Sequence, residues 1–224
     1  MKKIISILLA VLCMTAMFCS CNGKPDDTAT TTSPVADKDA VYTSGDFNYV
    51  LLEDGTAKIV AYNKKEAPVD LKIPSNFDGV KVTVIGKNTF TSEHNIINVE
   101  LSRHIREIEP YAFNKSSIKG IKYLSSKVET VKTNTFVECE NLTQIVFCDT
   151  IKTLEDSAIY LGRMPRIIHF KVDPVSISPK AIDTGKSYEN LEIKHYGDIS
   201  NFKNVETYAN MFDIGLILVD ETNQ

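Results

Sequence analysis

Apolar positions recur at a fixed distance along the middle of the chain. The nine-residue segment 82–90 has counterparts at 105–113, 128–136 and 151–159, each 23 residues after the one before. The first, fourth and ninth positions are apolar in all four copies, although only 43% of the chain is apolar. Chance would give this agreement roughly 4 times in 100,000 in one chosen register. The segment is therefore interpreted as a structural repeat.

A second apolar block follows each first block, with the spacing L-x-x-L-x-L. Its members are Ile96, Val99 and Leu101; Ile118, Ile121 and Tyr123; Leu142, Ile145 and Phe147; Pro165, Ile168 and Phe170; and Tyr188, Leu191 and Ile193. Alternation within both blocks predicts two rows of short strands. Because a single unit cannot bury its apolar face, the units are expected to stack, and about five coils fit the chain.

Two of the blocks identify a family resemblance. Residues 109–113 (EPYAF) and 133–142 (TNTFVECENL) resemble the A-F-x-x-C-x-x-L core of BspA-like leucine-rich repeats, which occur on bacterial cell-surface proteins. The resemblance covers about residues 47 to 197. It implies a β-rich leucine-rich-repeat solenoid of stacked coils with short parallel strands and little helix. It also implies that Cys139 points inward as a small buried residue.

A solenoid needs caps, because the ends of its coils are sheet edges. Alternating apolar segments on both sides of the turn at 53–56 predict an N-terminal β-hairpin cap within 45–70. The repeats are assigned to 71–197 and a C-terminal cap to 198–224. In the second cap, Asn204 is expected to begin a short helix that ends at Met211, and 216–219 to form a final strand.

Charged side chains follow the same step along the chain. Two columns of alternating charge are Arg106, Glu129 and Lys152, and Glu109, Lys132 and Glu155. We expect opposite charges to face each other on neighbouring coils and to fix the register of the stack. Without residues 1–20 the chain has 23 basic and 29 acidic side chains, so its net charge gives no reason to expect nucleic acid as a partner.

The first 20 residues have the features of an export signal. Lys2 and Lys3 precede an apolar run from 4 to about 19, which is shorter than the roughly 20 residues that span a bilayer. The segment 18–21 (FCSC) resembles a bacterial lipobox, which implies that residues 1–20 are a lipoprotein signal peptide and that Cys21 carries a diacylglycerol. Ordinary secretion with cleavage nearby is the alternative.

Residues 21–44 are predicted to be a disordered tether, since the stretch is rich in threonine, serine, proline and aspartate. Lys24, Asp26 and Asp27 resemble the acidic signal that directs lipoproteins of some Gram-negative anaerobes to the outer face of the outer membrane. We therefore expect a chain that is secreted across the inner membrane, lipid-anchored in the outer membrane and displayed on the cell surface.

Residues that could support catalysis or metal binding show no suitable spacing. His94, His104, His169 and His195 share no repeat column and have no metal-ligand spacing, so we expect no metal or cofactor. A charged solenoid face explains Glu107, Glu109, Glu138 and Glu140 better than an acid–base pair does. Beyond the lipobox only Cys139 and Cys148 remain, which excludes a disulfide scaffold but leaves a single pair open. An enzyme is not expected.

A binding surface is the remaining expectation, because each coil of a solenoid exposes variable side chains. The candidate partner-binding residues lie between the last two apolar residues of each second block, together with Arg166: Glu100, Lys122, Val146, His169 and Glu192. Two places earlier lie Asn98, Gly120, Gln144, Ile167 and Asn190. A merely solvated face explains this stripe equally well.

The sequence-based hypothesis is a cell-surface binding or adhesion module that contacts a protein or glycan of a host or of a neighbouring cell. The resemblance to BspA-like surface proteins implies this class of function. The alternative is an accessory lipoprotein of the cell envelope that binds glycan or scaffolds a membrane complex.

Overall fold

The computed structural model describes residues 40–63, 69–91, 96–122, 126–161, 166–171, 174, 176–183, 191–195, 199–203 and 216–220. The predicted signal peptide, Cys21 and most of the predicted tether lie outside the described residues. The strands in chain order are β1 (Tyr42–Ser44), β2 (Phe47–Leu51), β3 (Ala57–Tyr62), β4 (Val69–Lys72), β5 (Asn76–Phe77), β6 (Val80–Ile85), β7 (Ile96–Glu100), β8 (Glu107–Ile108), β9 (Gly120–Lys122), β10 (Thr130–Val131), β11 (Phe136–Cys139), β12 (Gln144–Phe147), β13 (Thr153–Leu154), β14 (Ile159–Leu161), β15 (Arg166–Phe170), β16 (Ser176–Ile177), β17 (Ile182–Asp183), β18 (Leu191–His195) and β19 (Leu216–Asp220).

Strands from successive coils pair in parallel rows. The longest row is a seven-stranded sheet in the order β4-β7-β9-β12-β15-β18-β19, which is built from the second apolar blocks. The first blocks form shorter rows, β10-β13-β16 and β11-β14-β17, while β8 pairs with β6. Helix is nearly absent from the described residues, in which Ile199–Phe202 forms a short 3-10 helix. The predicted leucine-rich-repeat solenoid is confirmed.

The 23-residue step is the register of the first-block rows. Thr130 faces Thr153, which faces Ser176. The first, fourth and ninth positions of all four copies are buried, and so are the small eighth positions Thr89, Ala112, Thr135 and Ala158. The small eighth residue leaves room for the ninth side chain to turn inward, which explains why both positions are restricted in every copy.

Each of four successive coils turns at a residue with a positive φ angle. Asn88 (57°), Tyr111 (63°), Asn134 (58°) and Ser157 (52°) occupy the same place in their coils. The backbone N–H of each of the first three donates to the carbonyl of the next, over 3.0 to 3.2 Å. Asparagine tolerates left-handed backbone, as at Asn88 and Asn134, whereas at Tyr111 and Ser157 the hydrogen bonds between coils stabilise a turn that the residue itself does not favour.

Carboxylates of one coil bind backbone amides of the coil before it. Glu109 Oε2 lies 2.8 Å from the Lys87 nitrogen, and Glu155 Oε2 lies 2.8 Å from the Thr133 nitrogen. Both amides sit in turns, outside the strand ladders. A charged acceptor is the stronger kind of partner for such a donor, so the glutamates tie adjacent coils together.

Between those two pairs lies a coil interface that lacks the contact between a glutamate and a turn amide. The 23-residue step places Lys132 where the others have glutamate, and Pro110 where the others have the donating amide. A lysine cannot accept a hydrogen bond, and a proline has no N–H to donate. The two exceptions therefore compensate each other.

The N-terminal hairpin covers the first coil. β2 and β3 pair in antiparallel fashion, and β3 continues in parallel onto β6. Gly86 allows the close approach, because a Cβ at this position would lie only 2.6 Å from the carbonyl oxygen of Ile59. The predicted hairpin cap is confirmed.

The tether prediction was wrong in its last three residues. Tyr42–Ser44 form β1, which pairs with β2. Side-chain packing adds to this strand pairing, since the rings of Tyr42 and Tyr49 stack with centroids 5.5 Å apart. At the other end, β19 is the predicted final strand and pairs with β18, whereas the predicted helix from Asn204 to Met211 lies outside the described residues.

The first predicted charge column is correct for one of its two contacts. Lys152 Nζ lies 2.9 Å from Glu129, but Arg106 binds Asp54 in the hairpin turn. Asp54 also accepts a hydrogen bond of 2.7 Å from the Thr56 hydroxyl. The Thr56 hydroxyl, the Arg106 guanidinium and the Thr56 amide lower the pKa of Asp54 from 3.8 to about 2.

The second predicted column was wrong in its partners. Lys132 Nζ lies 2.5 Å from Glu107 rather than beside Glu109. Glu109 is bound by Lys58 of the hairpin at 3.1 Å and by the Lys87 amide. Lys58 thus binds Oε1 of Glu109 and the Lys87 amide binds Oε2. Lys132 reaches Glu107 instead.

Candidate binding surface

The outer face of the seven-stranded sheet carries two columns of side chains, because alternate residues of a strand point to opposite faces. Strand register defines their members. The Asn98 column consists of Asp70, Asn98, Gly120, Gln144, Ile167, Glu192 and Ile217, and the Glu100 column consists of Lys72, Glu100, Lys122, Val146, His169, Lys194 and Val219.

Four of the predicted partner-binding residues share the Glu100 column. Glu100 and Lys122 are exposed, whereas Val146 and His169 are half-buried. Arg166 begins β15, and its side chain lies outside the description. The structure therefore brings together four of the six predicted residues on adjacent strands.

The predicted place of Glu192 in this stripe was wrong. Glu192 faces Ile167, and Lys194 is the residue that faces His169. The step from His169 to Lys194 is two residues longer than the step from Val146 to His169, so a constant step selects the wrong residue. His195 is buried, like Ile193, so the alternation of inward-facing residues continues to His195. Lys194, which lies between them, therefore faces outward.

The surface changes character along the solenoid. Its first strands are charged, and Lys72 Nζ lies 3.4 Å from Glu100. Val146 and Ile167 are half-buried diagonal neighbours on adjacent strands, and Ile217 on the last described strand is 44% exposed. The two columns thus combine an apolar middle with charged neighbours.

The carboxylates that could resemble a catalytic pair are separately engaged. Glu107 binds Lys132, Glu109 binds Lys58, and Glu138 lies 3.4 Å from Lys115. Each of the three carboxylates therefore contacts a different lysine. The geometry of these three residues supports a charged solenoid face.

Cys139 and Cys148 are both buried free thiols. Cys139 Sγ donates to the Phe113 carbonyl over 2.9 Å, and burial raises the pKa of its thiol to about 11. The inward orientation implied by the family resemblance is therefore observed. Within the described residues no group of three or more metal-ligating side chains occurs.

Membrane attachment by a spanning helix has no candidate in the described part of the chain, where no helix is both long and apolar enough to cross a bilayer. Cys21, the predicted site of lipid attachment, lies outside that part. Anchoring through this residue stays a prediction.

Three solved structures resemble the chain at low identity. A leucine-rich cell surface protein from Faecalibacterium prausnitzii A2-165 is 16% identical with a TM-score of 0.47, and the match covers 83% of this chain and 56% of that one. The T. pallidum leucine-rich repeat protein is 13% identical with a TM-score of 0.41, covering 78% and 97%. The pneumococcal vaccine antigen PcpA is 12% identical with a TM-score of 0.43, covering 81% and 50%. The chain spans about half the length of the first and third.

No curated protein matches the chain. The family described as the BspA type leucine-rich repeat region matches residues 61–182 in six copies, which is more than half of the sequence. This agrees with the resemblance inferred from 109–113 and 133–142. The chain therefore belongs to the BspA-type leucine-rich-repeat family.

Proposed function

We propose that the chain is a cell-surface binding module and that the outer face of its seven-stranded sheet holds a protein partner. The observation that carries the proposal is the apolar middle formed by Val146 and Ile167, with charged residues on the strands to either side. Protein interfaces combine an apolar centre with a polar rim in the same way. A continuous sheet also holds these side chains in place before binding, which lowers the entropy cost of association.

The proposal is tested on a panel of extracellular-matrix proteins and a glycan array. The double substitution Val146→Glu and Ile167→Glu places two charges in the apolar middle and should weaken binding to the protein partner by at least about tenfold. Ser176→Glu is the matched control, since Ser176 is an exposed strand residue of another row. Equal binding by the double variant and the wild type would exclude this face as the interface.

We infer that Cys21 carries a lipid that anchors the chain in the outer membrane. The support is the short apolar run after Lys2 and Lys3 and the small Ser20 directly before Cys21. Cys21→Ser should remove incorporation of labelled fatty acid and move the protein from the membrane fraction to the soluble fraction. A variant that stays labelled and membrane-bound contradicts this site.

Orientation separates adhesion from an accessory role inside the envelope. Protease treatment of intact cells should remove the solenoid if it faces outward. Protection of the solenoid, together with labelling at Cys21, contradicts the adhesion proposal and favours an envelope lipoprotein that scaffolds a complex or binds glycan.

A further inference from the structure

The outer face of the seven-stranded sheet carries balanced charges. Its two columns hold as many acidic as basic side chains: Asp70, Glu100 and Glu192, and Lys72, Lys122 and Lys194. The chain as a whole has a net charge of −4. Two copies of the chain therefore repel each other as whole molecules, but not through this face.

The charges are distributed unevenly between the two columns. On β4, Asp70 lies in the Asn98 column and Lys72 lies in the Glu100 column. β18 has the same order, with Glu192 in the Asn98 column and Lys194 in the Glu100 column. Near both ends of the face, one column is thus acidic where the other is basic.

This distribution makes the face complementary to a second copy of itself. We consider two faces that pack about a two-fold axis running across the strands, between the columns. Each strand then lies antiparallel to the same strand of the other copy, and each residue of the Asn98 column lies opposite the residue two places later in that strand. Asp70 meets Lys72 and Glu192 meets Lys194, and the symmetry forms each contact twice.

Strands β7 and β9 are compatible with the same arrangement. Asn98 lies opposite Glu100, and its amide, which donates to Asp70 over 2.7 Å, has a second N–H for the carboxylate. Gly120 lies opposite Lys122, so the long lysine meets a position without a side chain. Among the described residues of the two columns, no like charges lie opposite each other.

A two-fold axis parallel to the strands does not give this complementarity. Centred on β12, it would place Ile217 opposite Asp70 and Val219 opposite Lys72. A charge buried against an apolar side chain loses its water without gaining a partner. The axis across the strands instead places Ile217 opposite Val219, so apolar residues meet apolar residues.

We propose that a second copy of the chain is a partner of this face, held by reciprocal contacts between Glu192 and Lys194 and between Asp70 and Lys72. The inference rests on the proposed function, because it names one partner for the same surface. Seven strands about 4.8 Å apart and about 15 Å long cover roughly 400 Å² on each copy, which is less than most stable interfaces bury. We therefore expect a weak dimer that forms where the local concentration of the chain is high.

The test measures self-association by sedimentation equilibrium, on the full chain with Cys21→Ser so that a lipid cannot cause it. The dissociation constant should lie in the micromolar to millimolar range and rise with added salt, because the contacts are ionic. Glu192→Lys and Lys194→Glu should each weaken the dimer by at least about tenfold, since each places like charges opposite each other twice. Lys81→Glu is the matched control, because Lys81 is exposed on β6, in another sheet.

Mixing the two single variants is the decisive step. One copy then carries two lysines on β18 and the other carries two glutamates, so opposite charges face each other again. The mixture should form the dimer that each variant alone forms only weakly, which also shows that both variants are folded. The double variant Glu192→Lys, Lys194→Glu should associate as well as the parent chain.

Four results would overturn the inference: a monomer at all concentrations, unchanged association in both single variants, equal weakening by Lys81→Glu, or a mixture that does not recover. The proposed function is judged by a different readout, namely the loss of a panel protein by the Val146→Glu, Ile167→Glu variant. A chain that stays monomeric but shows that loss has an interface on this face for another protein, so the two proposals can fail separately.

Discussion

Single core residues of this solenoid contact their equivalents in the coils on both sides. Phe113 stacks between Phe90 and Phe136, with ring centroids 5.1 and 5.2 Å away. Near-parallel rings at this distance add a specific attraction to the burial of apolar area. One side chain in a middle coil therefore stabilises two interfaces between coils.

Phe113→Ala should lower the free energy of unfolding by about 3–5 kcal/mol, because it leaves a cavity between two rings. Urea unfolding followed by circular dichroism measures the change. Val41→Ala is the control: Val41 is 38% exposed, so its truncation should change the free energy by less than about 0.5 kcal/mol. A similar loss in both variants would contradict the stacked core.

The thiol of Cys139 should resist alkylation in the folded chain, because burial raises its pKa to about 11 and keeps it protonated. Iodoacetamide at mildly alkaline pH should modify it only after unfolding, as located by mass spectrometry of the peptide. Ser176→Cys introduces an exposed thiol as a positive control. Rapid modification of Cys139 in the native protein would show that the coil is open.

Inward positions such as Phe113 could be predicted from the sequence, since burial imposes its period directly. Contacts of long charged side chains could not, because Arg106 and Lys132 bind acceptors outside their predicted charge columns. Which acceptor such a side chain binds depends on which carboxylates already contact the hairpin or a backbone amide.

At the scale of the element, the coil is fixed by hydrogen bonds to its neighbours. The first-block rows keep a constant step of 23 residues, so their register could be predicted. In the seven-stranded sheet the connections differ in length, and the pairing of His169 with Lys194 required the structure. A variable connection changes the register without changing the apolar pattern.

Glu155→Ala should lower the free energy of unfolding by about 1–3 kcal/mol, because the Thr133 amide loses a charged acceptor. Asp149→Ala removes an exposed carboxylate of the same region and should have little effect. Chemical unfolding measures both variants. If Glu155→Ala is as stable as Asp149→Ala, water has replaced the glutamate as the acceptor of the Thr133 amide.

The hairpin cap should lose stability in acid through Asp54. Its pKa is about 2 in the folded chain against an ordinary 3.8, so its contribution is present above pH 4 and is lost as the pH falls from 4 towards 2. Asp54→Asn should therefore unfold at a lower temperature than the wild type near neutral pH, and the difference should disappear near pH 2. A difference that stays constant over this range would exclude the ionised carboxylate as its cause.

At the scale of the whole molecule, the stacking of coils could be predicted, but which strands of neighbouring coils pair could not. Periodicity shows which residues face inward in each coil. It does not show that β8 pairs with β6 but not, within the described residues, with β10.

The compensating pair of Pro110 and Lys132 also limits how the array can change in length. Deletion of 110–132 removes both exceptions together and joins Glu109 to Thr133, so each remaining turn amide keeps its glutamate. Deletion of the equally long segment 100–122 removes Glu109 and brings the Lys87 amide opposite Lys132, where it has no acceptor. Gain and loss of coils by recombination should therefore favour breakpoints between the glutamate position of one coil and the amide position that follows it, as between Glu109 and Pro110.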